Sequence, residues 1–146
     1  MKESVSIFSS PASLPLLGII HTWFSINKNG KLSRWEVLFR KNQCKTSWNY
    51  LHLNHSQAVL GIEIIPYINK YFWKSKSIAK IEGKQAKLLI KTIEKSKSDY
   101  PYKNNYQFLG PNSNTYVQWI LNKFPKLKIN LPWNSLGKGW KHNNNP

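Results

Sequence analysis

Cysteine is almost absent: Cys44 stands alone, so no internal disulfide exists and the fold does not depend on an oxidising compartment. Arginine is nearly as scarce. Among 22 Lys and Arg residues only Arg34 and Arg40 carry the planar fork suited to bases and phosphates, which argues against dedicated nucleic-acid readout. Acidic residues number six, leaving a formal charge of +16. Such an excess attracts polyanions of any kind, but abundant Lys, Asn and Ile also follow from the codon usage of an AT-rich genome. No apolar run approaches the roughly 20 residues of a membrane span. Leu14 to Ile20, the longest near the start, contains Pro15, and Lys2 is answered by Glu3. No secretory signal is expected, and the cytoplasm is the expected location. Phosphate loops, dinucleotide fingerprints, heptads and internal repeats are missing, and no cofactor is expected.

What the 146 residues do contain is enough for one packed domain, with 40% hydrophobic residues and seven Trp, seven Tyr and six Phe. Residues 1–15 read as a loose, Ser-rich segment, 16–140 as a single α+β domain and 141–146 as a polar tail. Leu16 to Ile26 and Leu32 to Arg40 read as paired strands around Asn27-Lys28-Asn29-Gly30, because Asn-Gly suits the positive φ angles of a two-residue hairpin. Thr46 to Leu53 and Ser77 to Ile81 read as further strands, and Asn105 to Leu109 as a short one. Residues 54–74 carry no clear pattern, with Pro66 interrupting any helix. Gly83 to Ser98 is helical, with Ala86, Leu89, Ile90 and Ile93 on one side and Lys84, Lys87, Lys91 and Lys95 on the other. The expected architecture is an antiparallel sheet packed against two helices.

With a two-residue loop, His21 and Glu36 fall on one face of the hairpin, directly opposite or one diagonal apart, where a carboxylate can orient an imidazole. A three-residue loop would separate them. Ile20, Phe24, Ile26, Trp35, Val37 and Phe39 make the opposite, core-facing side. His52 and His55 have neither the carboxylate nor the Cys pair that would complete a zinc site, and strand spacing puts them on opposite faces; no metal site is expected.

Gly110-Pro111-Asn112-Ser113-Asn114-Thr115 opens a second helix, whose buried side is Tyr116, Val117, Ile120, Leu121 and Phe124. Its start falls at Asn112 or Ser113, whose side chains can accept from unpaired backbone N–H groups. The same place carries the positive end of the helix dipole, which favours a nucleophile or bound anion. Ser113 is therefore either a cap or a chemical group. Tyr100, Tyr102 and Tyr106 either line a sugar or peptide pocket beside it or fill the core.

His21-Thr22-Trp23, Tyr100-Pro101-Tyr102, the Gly-Pro-Asn-Ser-Asn-Thr block and Leu131-Pro132 with Gly137-Lys138 resemble the successive motifs of a bacterial family known as domain of unknown function 3750. More distantly, Asn112 to Val117 is similar to the Asn-Cys-x-x-Phe-Val helix start of circularly permuted papain-like domains, which include acyltransferases and cell-wall peptidases. That resemblance implies His21 as general base, Glu36 as its orienting partner and Ser113 in the nucleophile position. Asn112, Asn114 and backbone N–H groups would form an oxyanion hole, with Trp23 and Tyr102 among the binding residues. The implied substrate is an amide or ester, as in a peptide or glycan. Serine replaces the family's cysteine, so its hydroxyl needs concerted proton removal. The alternatives are a papain-like scaffold that only binds, and a non-catalytic basic module for nucleic acid or an anionic surface.

Overall fold

Asn29 and Gly30 take positive φ angles of 53° and 86°, and Asn27 Oδ1 accepts from the Gly30 N–H at 2.8 Å. This is the two-residue turn the Asn-Gly pair favours, and it joins β2 (Ile20–Lys28) to β3 (Lys31–Val37). The structure, a computed structural model, describes residues 2–12, 18–61 and 74–141. Around the hairpin lie β1 (Ser4–Pro11), β4 (Ser47–Trp48), β5 (Leu51–Leu53) and β6 (Lys76–Glu82). They complete one antiparallel six-stranded sheet of order β4-β5-β3-β2-β1-β6. Helices α1 (Gly83–Asp99) and α2 (Ser113–Leu121) cover one face. The first lies over β1 and β6, the second over β2 and β3. The chain is α+β, as its periodicities require.

Several local expectations are corrected. The Ser-rich start is not loose from residue 4 onward: β1 pairs along its whole length with β2 and supplies Val5 and Ile7 to the core. Alternation places these two toward the helices and Ser4, Ser6 and Ser10 away from them. Thr46 to Leu53 is two short strands, broken at Asn49, whose φ of 55° turns the chain. Residues 105–109 form no strand: 105–107 are irregular and 108–109 turn. Phe39 lies beyond the end of β3 and is 62% exposed, outside the core it was expected to join. The unassigned stretch falls partly, at 62–73, outside the described residues, as does the polar tail from 142.

The helix-side core joins Val5, Ile7, Phe24, Ile26, Trp35, Val37 and Leu51 of the sheet to Leu89, Ile90, Ile93, Tyr116, Val117 and Ile120 of the helices. Tyr116 is at its centre, with edge-on contacts to Phe24 and Tyr100 at 6.0 and 5.1 Å. Its hydroxyl donates to Ser96 Oγ at 2.8 Å, because Ser96 spends its own proton on the Ile93 carbonyl. Tyr100 differs: its hydroxyl is buried without a hydrogen bond among the described residues.

Two neighbouring tyrosines should therefore respond oppositely to loss of the hydroxyl. Tyr116→Phe removes a satisfied bond and should cost about 1 kcal/mol, whereas Tyr100→Phe removes an orphan and should be neutral or stabilising. Urea unfolding of both variants checks this. Equal destabilisation would contradict it.

Candidate functional site

The β2–β3 register, set by Phe24 opposite Trp35, carries on to place His21 one diagonal from Glu36 on the face away from the helices. His21 Nε2 meets Glu36 Oε2 at 2.8 Å, both side chains being buried. The same oxygen accepts from Arg34 Nη2 at 2.7 Å. Arg34 is wholly buried, its guanidinium 3.9 Å above the Trp23 ring and its Nη1 donating to the carbonyls of Gln57 and Leu60. Segment 54–61 thus closes over this face of the sheet. Asn54 Oδ1 accepts from the Arg34 N–H at 2.8 Å, and the Ala58 carbonyl accepts from Trp23 Nε1 at 3.0 Å.

Burial disfavours the Glu36 carboxylate, but hydrogen bonds and charge from His21 and Arg34 outweigh that and hold its pKa below the ordinary value. Burial lowers the Arg34 pKa, with Glu36 opposing. An ionised carboxylate only accepts, so the His21 proton sits on Nε2. In the neutral ring Nδ1 is then the acceptor, and it makes no hydrogen bond among the described residues. Among the described residues Glu36 Oε1 is buried and unpartnered, as is the hydroxyl of Ser10, which stands opposite His21 in the β1–β2 register. Orphaned polar atoms flanking an imidazole are uncommon in a purely structural interior.

Ser113 arrives from the other side. Asn112, not Ser113, is the N-cap: its Oδ1 accepts from the N–H groups of Asn114 and Thr115 at 3.0 and 3.2 Å. Thr115 Oγ1 accepts in return from the Asn112 N–H at 3.1 Å, closing a capping box. Gly137 is necessary here, since a Cβ on it would lie 2.5–2.8 Å from the Asn112 amide. Asn114 Nδ2 donates to the carbonyls of Ile20 and Leu136, and its Oδ1 accepts from Thr22 Oγ1 at 2.8 Å. These bonds tie the start of α2 to the residues on either side of His21. Neither the hydroxyl nor the backbone N–H of Ser113 makes a hydrogen bond among the described residues.

His21 and Ser113 line one groove of about 240 Å³ at the end of the sheet where β2 begins and β3 ends. Pro11, Ala12, Leu38, Phe39, Arg40 and Tyr106 form much of its wall. His52 supports that wall. Its Nε2 donates to the Arg40 carbonyl at 3.0 Å, so its Nδ1 accepts from Ser47 Oγ at 2.6 Å. Burial lowers its pKa and favours this neutral form.

Other expected roles change. The side-chain amides of Asn112 and Asn114, expected as oxyanion donors, are instead fully engaged in hydrogen bonds that position α2. Trp23 is completely buried behind His21, with ring centroids 5.6 Å apart, and supports the imidazole rather than meeting a ligand. Tyr102 packs edge-on against Tyr100 and Trp140, and Tyr106 takes the groove position. His52 and His55, expected on opposite faces, approach to 5.7 Å because Asn54, at φ 58°, turns the chain between them. Among the described residues no group of three His, Cys, Asp or Glu could hold a metal. Arg34 and His52 had no sequence signal as site residues beyond the alternation of Arg34 with Glu36 and of His52 with Trp48 and Tyr50.

Glu36→Gln should cost about 3–5 kcal/mol at neutral pH, because it leaves Arg34 buried without a countercharge. A lowered folded pKa adds stability above the unfolded value near 4.5, and that stability is lost as pH falls through the folded one. The gap between wild type and Glu36→Gln in urea titrations should therefore narrow below pH 4.5. A gap that widens in acid would show that Glu36 is not ionised in the fold.

No described helix is long and apolar enough to cross a membrane. No curated protein and no solved structure matches the chain. A family described as protein of unknown function (DUF3750) matches residues 3–140, a span holding β1, the hairpin, both helices and every groove residue named above. The chain belongs to that family.

Proposed function

We propose that the groove is the active site of a hydrolase or acyltransferase acting on an amide or ester, with Ser113 as nucleophile, His21 as general base and Glu36 orienting the imidazole. One observation carries this reading: His21 and Ser113, far apart in sequence, line the same groove with the basic nitrogen of one and the hydroxyl of the other unengaged. As Ser113 Oγ attacks a carbonyl carbon, its proton passes to His21 Nδ1, while Nε2–H stays on Glu36 and the imidazolium is stabilised. The developing oxyanion takes a hydrogen bond from the Ser113 N–H at the positive end of α2. The protonated His21 then returns its proton to the leaving amine or alcohol. Water or another acceptor, deprotonated by His21, releases the acyl group from Ser113.

Support also comes from order along the chain. A strand histidine, a polar partner on the next strand and a nucleophile at a later helix start is the sequence of a permuted papain-like domain, and β2, β3 and α2 carry these residues in that order. The competing polyanion-binding reading rests on Lys84, Lys87, Lys91 and Lys95, which are exposed on α1 and share no residue with the groove.

A fluorophosphonate probe should label Ser113, as read by peptide mass spectrometry, and Ser113→Ala should abolish the adduct. His21→Ala should slow labelling by about 100-fold or more, the usual share of a general base. If the folded wild type is not labelled, and its heparin retention is lost when the four lysines are changed to Gln, the basic-module reading replaces this one.

A further inference from the structure

We propose that the groove takes an amide or ester with a short apolar body and one anionic group, carboxylate or phosphate, held by Arg40; this rests on reading the groove as the active site. The lining gives the apolar half. Pro11, Ala12, Val37, Leu38, Phe39 and Tyr106 surround a space of about 240 Å³. This groove, open to solvent on one side, has room for a short acyl chain. Phe39, 62% exposed at this groove, offers an apolar surface to a bound ligand.

Arg40 gives the anionic half. It is the only Lys, Arg, Asp or Glu in the lining, and it has no ion-pair partner among the described residues. Glu36, four residues before it in the chain, is already shared between Arg34 and His21. The Arg40 backbone is fixed through its carbonyl by His52, while its guanidinium rests 5.1 Å from the Phe39 ring centre. A planar cation held on an apolar shelf, with its donors unused, is built to meet a carboxylate or phosphate in two-point contact. The chain carries +16, yet the groove has this single permanent charge, so it selects one anion on an apolar molecule rather than a polyanion.

Calorimetric binding of N-hexanoylglycine, its methyl ester and hexyl phosphate to the full chain tests this without needing turnover. N-Hexanoylglycine should bind at least tenfold more tightly than its methyl ester. That preference should shrink below twofold in Arg40→Gln, survive in part in Arg40→Lys, and persist in Lys91→Gln on the exposed face of α1. Tighter binding of hexyl phosphate than of the acid would assign the anion as phosphate, and the reverse as carboxylate. Equal affinity for acid and ester, no binding of either, or an equal loss in Lys91→Gln would overturn the proposal. The titrations are run in the Ser113→Ala background, so that neither the amide nor the ester is turned over. Unlabelled Ser113 with the preference intact therefore removes the catalytic reading alone, whereas parity of acid and ester removes the Arg40 assignment alone.

Discussion

One carboxylate oxygen, Glu36 Oε2, holds the site together by accepting from Arg34 and His21 at once. Removing a carboxylate and a guanidinium from water is costly, and their attraction repays that only when the remaining polar atoms find partners. Here the carbonyls of Gln57 and Leu60 accept from Arg34 Nη1 and fix segment 54–61 over the outer face of the sheet, while Arg34 Nε and Glu36 Oε1 find no partner among the described residues. The arrangement does little for net stability compared with an apolar layer of equal volume. What it secures is a single orientation and a single tautomer of the His21 ring, with Nδ1 unengaged.

The opposite wall of the groove follows the same logic with neutral groups. Asn112 caps α2 and ties it to residues Phe108 and Leu136, while Asn114 ties it to Ile20 and Thr22. Every hydrogen-bonding atom of these two amides has a task. Ser113, between them, has none. Two flanking residues do the structural work of the helix start, so the hydroxyl at its first position carries no structural hydrogen bond among the described residues.

Local signals were readable where the chain alone determines the conformation. Asn29-Gly30 sets the hairpin and, through period-two alternation, the shared face of His21 and Glu36. The 3.6-residue spacing of Ala86, Leu89, Ile90 and Ile93 gives α1, and Asn112 with Thr115 gives the start of α2. Readability failed where a partner decides. Serine is a weak strand former, so β1 shows itself only once β2 and β6 flank it. Phe39 looks like the next core residue of β3, but the strand ends at Val37 and the side chain is released into the groove wall. Arg34 looks like a solvated residue of an alternating strand until segment 54–61 covers it.

By itself, then, the sequence determined an α+β domain with a strand histidine and carboxylate on one face and an N-capped helix beginning at residues 112–113, because turns, caps and amphipathic periods are local. It also carried the motifs that place the chain in its family. Only the tertiary structure decided that Ser113 and His21 line one groove, that the amides of Asn112 and Asn114 tie α2 to its neighbours, and that Arg40 lines the same groove with no ion-pair partner among the described residues. Those relations depend on which surfaces bury against each other, and burial is a property of the whole chain that no short window of residues contains.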